Sequence, residues 1–169
     1  ETRLVHGGTL RSQFGETSEA LFLTQGYVYD SAEQCEARFK GQEPGFIYSR
    51  YSNPTIEMFE RRMIELEGAE AARSTATGMA AVTTAILAPL KAGDHLVASK
   101  ALFGSCLYVV QDLLPHYGIE TTLVDGLDLD QWQRALRPNT KSFFLESPTN
   151  PTLDVLDIPA IADIAHSGG

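Results

Sequence analysis

From residue 70 onward the chain alternates short apolar runs with helix-length amphipathic ones, and that alternation limits the fold more than any other feature. Strands are expected near 70–75, 95–99, 119–124 and 141–146, and helices near 78–89, 103–117, 127–136 and 158–166. Strands separated by helices over short connections return in parallel through right-handed crossovers rather than pairing as hairpins. The expected class is therefore α/β with a mostly parallel sheet. Open sheets of this kind bind ligands beyond the carboxyl ends of their strands. The polar residues that fall there are Thr77, Ser99, Lys100, Asp125, Ser147 and Asn150.

The preceding segment is built differently. Up to about residue 45 the chain lacks sustained periodicity and reads as an extended arm with short turns, interrupted by one short helix at 32–41. The run NPTIEMFERRMIELEG then carries every signal of a helix: Asn53 as N-cap, Pro54 in the first turn and Gly68 as the stop. Ile56, Phe59, Met63 and Leu66 form its expected apolar face, and Glu57 and Arg61 stand one turn apart.

Charge and cysteine usage exclude several function classes. A net charge of −9 over 169 residues argues against nucleic acid and anionic membrane as partners. The longest weakly polar stretch, 79–90, is too short to span a bilayer. Cys35 and Cys106 show no paired spacing and are expected as free thiols, which with the absence of a leading signal segment suits a soluble cytoplasmic protein. His6, His95, His116 and His166 are scattered without ligand spacing, so no metal site is expected.

Four stretches carry chemistry. In ARSTATGMAAVTTAILAPL the pair Thr77-Gly78 stands where a strand gives way to a helix. Backbone N–H groups and a hydroxyl there can hold an anion. The small residues Gly78, Ala80 and Ala81 can equally serve close packing of helix on sheet, and the sequence leaves both open. In YSRYSNPT, Arg50 offers a bidentate fork and Tyr48 an O–H donor, on one side if the piece is extended. LFGSC puts Phe103 at the carboxyl edge, where it can cover a flat ring or simply pack in the core. In FFLESPTNPT, Asn150 can donate to a ligand oxygen or serve as a turn residue before Pro151.

In this order and spacing, YSRYSNPT, ATGMAA, LFGS and ESPTNP resemble the pyridoxal-phosphate-dependent enzymes of Cys/Met metabolism, a family of cystathionine γ-synthases and lyases, methionine γ-lyases and homoserine-ester sulfhydrylases. Within it the likeness is greatest to the branch that uses O-succinylhomoserine and sulfide, and it covers nearly the whole chain. The resemblance implies a fold-type-I, aspartate-aminotransferase-like large domain, with residues 1–45 as an N-terminal arm making intersubunit contacts and 46–169 as the first half of the cofactor-binding domain. It implies pyridoxal 5'-phosphate as cofactor, with its phosphate on Thr77, Gly78 and Met79, its ring under Phe103 and its phenolic oxygen on Asn150. Many relatives have Tyr at the position of Phe103, and a phenyl ring can stack there but cannot titrate. Tyr48 and Arg50 match a pair that reaches a neighbouring subunit's phosphate, so a homodimer is the least active unit and a homotetramer the expected one.

The implied reaction is γ-replacement in methionine biosynthesis: O-succinylhomoserine and sulfide give homocysteine and succinate. Cystathionine γ-synthase or γ-lyase chemistry, or a non-catalytic cofactor-binding fragment, are the alternatives. No catalytic residue is expected within the chain itself, since the family's Schiff-base Lys and the Asp facing the pyridinium nitrogen are expected beyond Gly169. Lys100 has the only placement among the lysines that could substitute, and nothing around it predicts the burial such a lysine needs.

Overall fold

The signals around residues 53–68 shape the first of two units, Glu1–Ser74 and Thr75–Gly169, in the computed structural model, which describes residues 5–168. In the first unit a short helix α1, Ala32–Phe39, is followed by α2, Pro54–Glu67. The Asn53 side chain accepts the Thr55 N–H at 2.9 Å at the start of α2, and Gly68 closes it in the left-handed conformation at φ 63°. The segment before α1 is pinned rather than paired. Asn53 Nδ2 donates to the Phe22 carbonyl at 3.0 Å, the Phe22 N–H donates to Thr55 Oγ1 at 2.8 Å, and Glu19 pairs with Arg62.

Two expectations for this unit are corrected. The run 70–75 is not a strand: its backbone makes no ladder, and the Ser74 N–H instead donates to Glu60 Oε1 at 2.8 Å. A segment of Ala, Glu and Arg brings too few β-branched or aromatic side chains to hold an edge. The expected apolar face of α2 is also not its buried one: Ile56, Phe59 and Leu66 are 46, 52 and 53% exposed, whereas Pro54, Met58 and Glu60 are buried. The inward flank is set by Glu60, whose carboxylate accepts from Ser74 N and Oγ and from Arg73 Nη1 at 2.8, 3.2 and 2.9 Å. Among the described residues of this unit the only β-pairing is a single bridge, Gly26 to Tyr48, and no sheet covers the other flank.

The second unit is the α/β part. Helix α3, Gly78–Leu87, leads to β1, His95–Ser99; then come α4, residues 104–116, β2, Glu120–Val124, α5, Leu129–Ala135, β3, Thr140–Phe144, and α6, Ile158–Ser167. All three strands are parallel, in the order β2-β1-β3, with a bulge at Lys141. Every residue of β1 is buried, as a central strand covered on both faces requires. Its alternation sorts the core: Leu96 and Ala98 pack with Ile86, Cys106, Val110 and Leu114 on one face, while Val97 packs with Trp132, Leu156 and Ile161 on the other.

Helix α4 was expected as one uninterrupted run, and its middle, Val109–Leu113, is instead a π turn in which the Leu114 N–H reaches the Val109 carbonyl. Pro115 has no N–H to offer Gln111 and its ring would strike that carbonyl, so the helix widens there and then resumes. Gly168 caps α6; the expected stop also included Gly169, which lies outside the described residues, as do residues 1–4 of the expected arm. No helix among the described residues is long and apolar enough to cross a membrane.

Candidate functional site

The strand order creates a crevice. From β1 the chain crosses to β2 on one side and afterwards to β3 on the other, so the segments leaving β1 and β3 diverge at their carboxyl ends. A reversal of this kind is where open α/β sheets hold ligands. Here Phe103, from the loop after β1, and Glu146 and Asn150, from the segment after β3, line one open cavity of about 520 Å³ together with Val82 and Cys106. Two of the predicted residues, 47 positions apart by number, thus meet in one place: Phe103, itself 47% exposed, and Asn150.

Helix α3 also contributes to this lining, through Val82. Val82 lies one turn beyond Gly78 on the same helix face, which brings the start of α3 to the same side. Thr77 is the N-cap, and its Oγ1 accepts the Ala80 N–H at 3.1 Å. The Ala81 N–H is taken by the Thr77 carbonyl at 3.1 Å. The N–H groups of Gly78 and Met79 have no intrahelical acceptor, and the Thr77 hydroxyl proton is not used by the cap. Three donors at the positive end of a helix suit a phosphate. Of the small residues that close packing would use, a Cβ placed on Gly78 meets no atom within 4 Å and Ala81 is exposed, whereas Ala80 is half-buried.

Tyr48 and Arg50 belong to the first unit. The piece is not extended, as one-sided presentation was expected to require, but turned: Tyr51 and Ser52 both donate their N–H groups to the Tyr48 carbonyl, at 2.8 and 3.2 Å. The turn follows from Ser49, whose N–H bonds the Gln25 carbonyl at 2.9 Å and whose hydroxyl is held by Thr24 and Asn53. It still keeps the two side chains together. The Arg50 guanidinium lies 5.5 Å from the centre of the Tyr48 ring and 4.8 Å from that of Tyr51. Stacking of this kind fixes the fork while leaving its N–H groups for an anion. The Tyr48 hydroxyl accepts from Gln25 Nε2, so its own proton remains available.

Lys100 is bound elsewhere. Its ammonium is exposed and sits 2.8 Å from Asp125 Oδ2, and the hydrogen bond holds the Asp125 carboxyl below its ordinary range. Lys100 is thus committed to an exposed ion pair with Asp125.

Sequence reasoning passed over two residues of the cavity. Glu146 Oε2 accepts the Phe103 N–H at 2.9 Å, and Cys106 lies buried beneath the same wall. Burial, with the Glu146 charge adding to it, pushes the Cys106 thiol above its ordinary pKa, which keeps it an inert neutral group. A carboxylate directly after a buried-type strand was the available signal for Glu146, but its partner 43 residues away depends on β1 and β3 being neighbours.

The chain shares this architecture with known proteins. A family model described as Cys/Met metabolism PLP-dependent enzyme matches residues 1–169. An O-succinylhomoserine sulfhydrylase of Mycobacterium tuberculosis is 52% identical over 165 residues, covering 98% of this chain and 41% of the relative. An L-methionine gamma-lyase of Porphyromonas gingivalis is 43% identical over 165 residues, again 98% of this chain and 41% of the relative. Among solved structures, one from Campylobacter jejuni described as an O-acetylhomoserine (thiol)-lyase with N'-pyridoxyl-lysine-5'-monophosphate superimposes with a TM-score of 0.92 at 32% identity, over 99% of this chain and 41% of that one. The chain therefore spans about 41% of the length of the relatives it matches. Its second unit has the parallel α/β architecture of the fold-type-I enzymes that bind pyridoxal phosphate. The chain belongs to the PLP-dependent enzymes of Cys/Met metabolism.

Proposed function

We propose that the whole protein catalyses γ-replacement on an O-acylated homoserine, with O-succinylhomoserine and sulfide giving homocysteine and succinate. The observation that carries the reading is the common cavity: Phe103 and Asn150 line it, and the helix that adds Val82 to its lining begins at the capped, donor-rich turn Thr77–Met79. Its volume of about 520 Å³ is in the range that takes a small cofactor. The donors present fit pyridoxal phosphate. The N–H groups of Gly78 and Met79 and the Thr77 hydroxyl bind the phosphate, Phe103 covers the ring, and the Asn150 amide donates to the phenolic oxygen. When bound, the cofactor supplies an electron sink through which the protons next to the amino group can leave.

Phe103 has no ionisable group, so its part is to bind and orient. Tyr48 and Arg50, stacked and without a carboxylate partner among the described residues, bind the phosphate held by a neighbouring subunit; the active unit is then a dimer at least, and a tetramer by family likeness. In this reading residues 1–45 form an arm that contacts the neighbour, 46–169 form the first half of the cofactor-binding domain, and the enzyme works in the cytoplasm in methionine biosynthesis. The choice of O-succinylhomoserine is supported by the 52% identity to a sulfhydrylase of that substrate, and the likeness to a methionine γ-lyase at 43% favours elimination as the second reading.

The test is a product assay on the full-length holoenzyme. O-succinylhomoserine or O-acetylhomoserine is supplied with sulfide, with cysteine, or alone, methionine is supplied in a parallel reaction, and homocysteine, cystathionine, the free acid and 2-oxobutyrate are measured. Sulfide-dependent homocysteine together with succinate is the expected outcome. Production of 2-oxobutyrate from methionine, with no acyl release from either ester, would sink the proposal in favour of the γ-lyase.

A further inference from the structure

Phe103 is poorly held by its own side chain. It is the N-cap of α4, with φ −53° and ψ 136°; its own side chain makes no cap hydrogen bond, and the residue is 47% exposed. Packing alone therefore does little to fix the plane of that ring. What holds the residue is its backbone N–H, which donates to Glu146 Oε2 at 2.9 Å. The bond joins the segment after β1 to the segment after β3 across the mouth of the crevice. A carboxylate suits this place twice over: hydrogen bonds to a charged acceptor are the stronger kind, and α4 presents its positive end to it. Glu146 itself lines the cavity between Phe103 and Asn150, so a shift of its chain moves the same wall.

We infer that Glu146 is the positioning residue for Phe103: by holding the Phe103 N–H it sets the ring against the flat face of the aromatic cofactor. The inference rests on the proposed stacking of Phe103. It separates two otherwise similar variants. Glu146→Gln keeps an oxygen that accepts the N–H, whereas Glu146→Ala removes the acceptor. A role confined to helix capping would lower stability in both without reference to the ring.

The experiment uses the full-length holoenzyme and follows the visible circular dichroism of bound pyridoxal phosphate and the rate at which it is lost to a carbonyl scavenger. Glu146→Ala is expected to reduce the dichroism and to speed cofactor loss about tenfold, the effect of one charge-assisted hydrogen bond. Glu146→Gln should stay within about threefold of the parent. In a Phe103→Leu background, Glu146→Ala should add nothing further. An equal effect of Glu146→Ala with and without the Phe103 ring would overturn the positioning role, as would parent-like behaviour of Glu146→Ala. If Phe103→Leu alone leaves dichroism and cofactor loss unchanged, the stacking itself fails; that result is distinct from a failure of Glu146.

Discussion

Thr77 caps α3 with its one side-chain oxygen, and in the proposed reading that hydroxyl also binds a phosphate; stability and affinity measured together tell the two roles apart. Its Oγ1 accepts the Ala80 N–H at 3.1 Å, which uses a lone pair and leaves the hydroxyl proton to donate to a phosphate. Thr77→Val, close in shape, removes both functions; Thr77→Ser keeps both. Loss of an N-cap costs about 1 kcal/mol of stability. Loss of a hydrogen bond to a charged group costs about 1.5–3 kcal/mol, which is roughly a 10- to 150-fold weaker phosphate-dependent affinity. The N–H groups of Gly78 and Met79 remain in the variant, so binding weakens without vanishing.

The informative quantity is the ratio of the affinity for pyridoxal phosphate to that for pyridoxal. Ring contacts and the covalent anchor are common to both ligands and cancel. Absorbance titration of the full-length apoenzyme should show that ratio falling at least tenfold in Thr77→Val and staying within about threefold in Thr77→Ser. A Thr77→Val apoenzyme that loses stability yet keeps the parent's ratio would show that the hydroxyl only caps the helix, and the phosphate assignment to Thr77 would be wrong.

Two further outcomes follow from the second unit. His95 is fully buried with Thr140 Oγ1 and Thr122 Oγ1 each 2.8 Å from its ring nitrogens, and burial, aided by the Arg137 charge and opposed by Glu120, lowers its pKa. The unfolded chain then binds the proton first. The stabilisation is complete above the unfolded value of about 6.5 and is lost as pH falls from there through the lowered folded value, by up to about 1.4 kcal/mol per pH unit. Urea midpoints measured above and below that value should converge for His95→Gln, and an unchanged pH slope would refute the assignment.

Glycines 126 and 78 should respond in opposite ways to alanine. At Gly126 a Cβ would lie 2.7 Å from Ser99 Oγ and 3.0 Å from Leu156 Cδ1, so Gly126→Ala should destabilise by about 1–3 kcal/mol in denaturant unfolding. At Gly78 nothing is met, so Gly78→Ala should stabilise the helix by up to about 1 kcal/mol while weakening the phosphate-dependent affinity, because the methyl stands where the anion approaches.

The local features of this chain were legible wherever a residue type has one use. Asn53, Pro54 and Gly68 bracket α2 because each satisfies a backbone requirement at a helix end, and all three do so in the structure. Strand β1 falls on the expected residues because a run buried on both faces needs no alternation to be recognised. Asp128 caps α5 by accepting the Gln131 N–H at 3.1 Å. The failures at residues 70–75 and on α2 concern what a segment meets. Residues 70–75 had the length of a strand but no neighbour to pair with, and the bonds of their backbone went to Glu60 instead. The apolar stripe of α2 was correctly periodic, yet periodicity does not say which flank a carboxylate such as Glu60 will pull inward.

The candidate site divides along the same line. Sequence order alone named Thr77, Gly78, Met79, Phe103 and Asn150, because helix starts and strand ends are local and the motifs stand in a recognisable order. It also determined the α/β class, since strands alternating with helices over short connections have few other ways to bury both faces of a sheet. Only the tertiary structure decided that β3 lies beside β1 rather than beyond β2, and with it that Phe103 and Asn150 share one cavity and that Glu146 reaches the Phe103 N–H. The reason is physical: a helix cap is settled within a few residues, whereas a contact across 43 residues exists only after the whole sheet has closed its hydrogen-bond ladder and chosen its strand order.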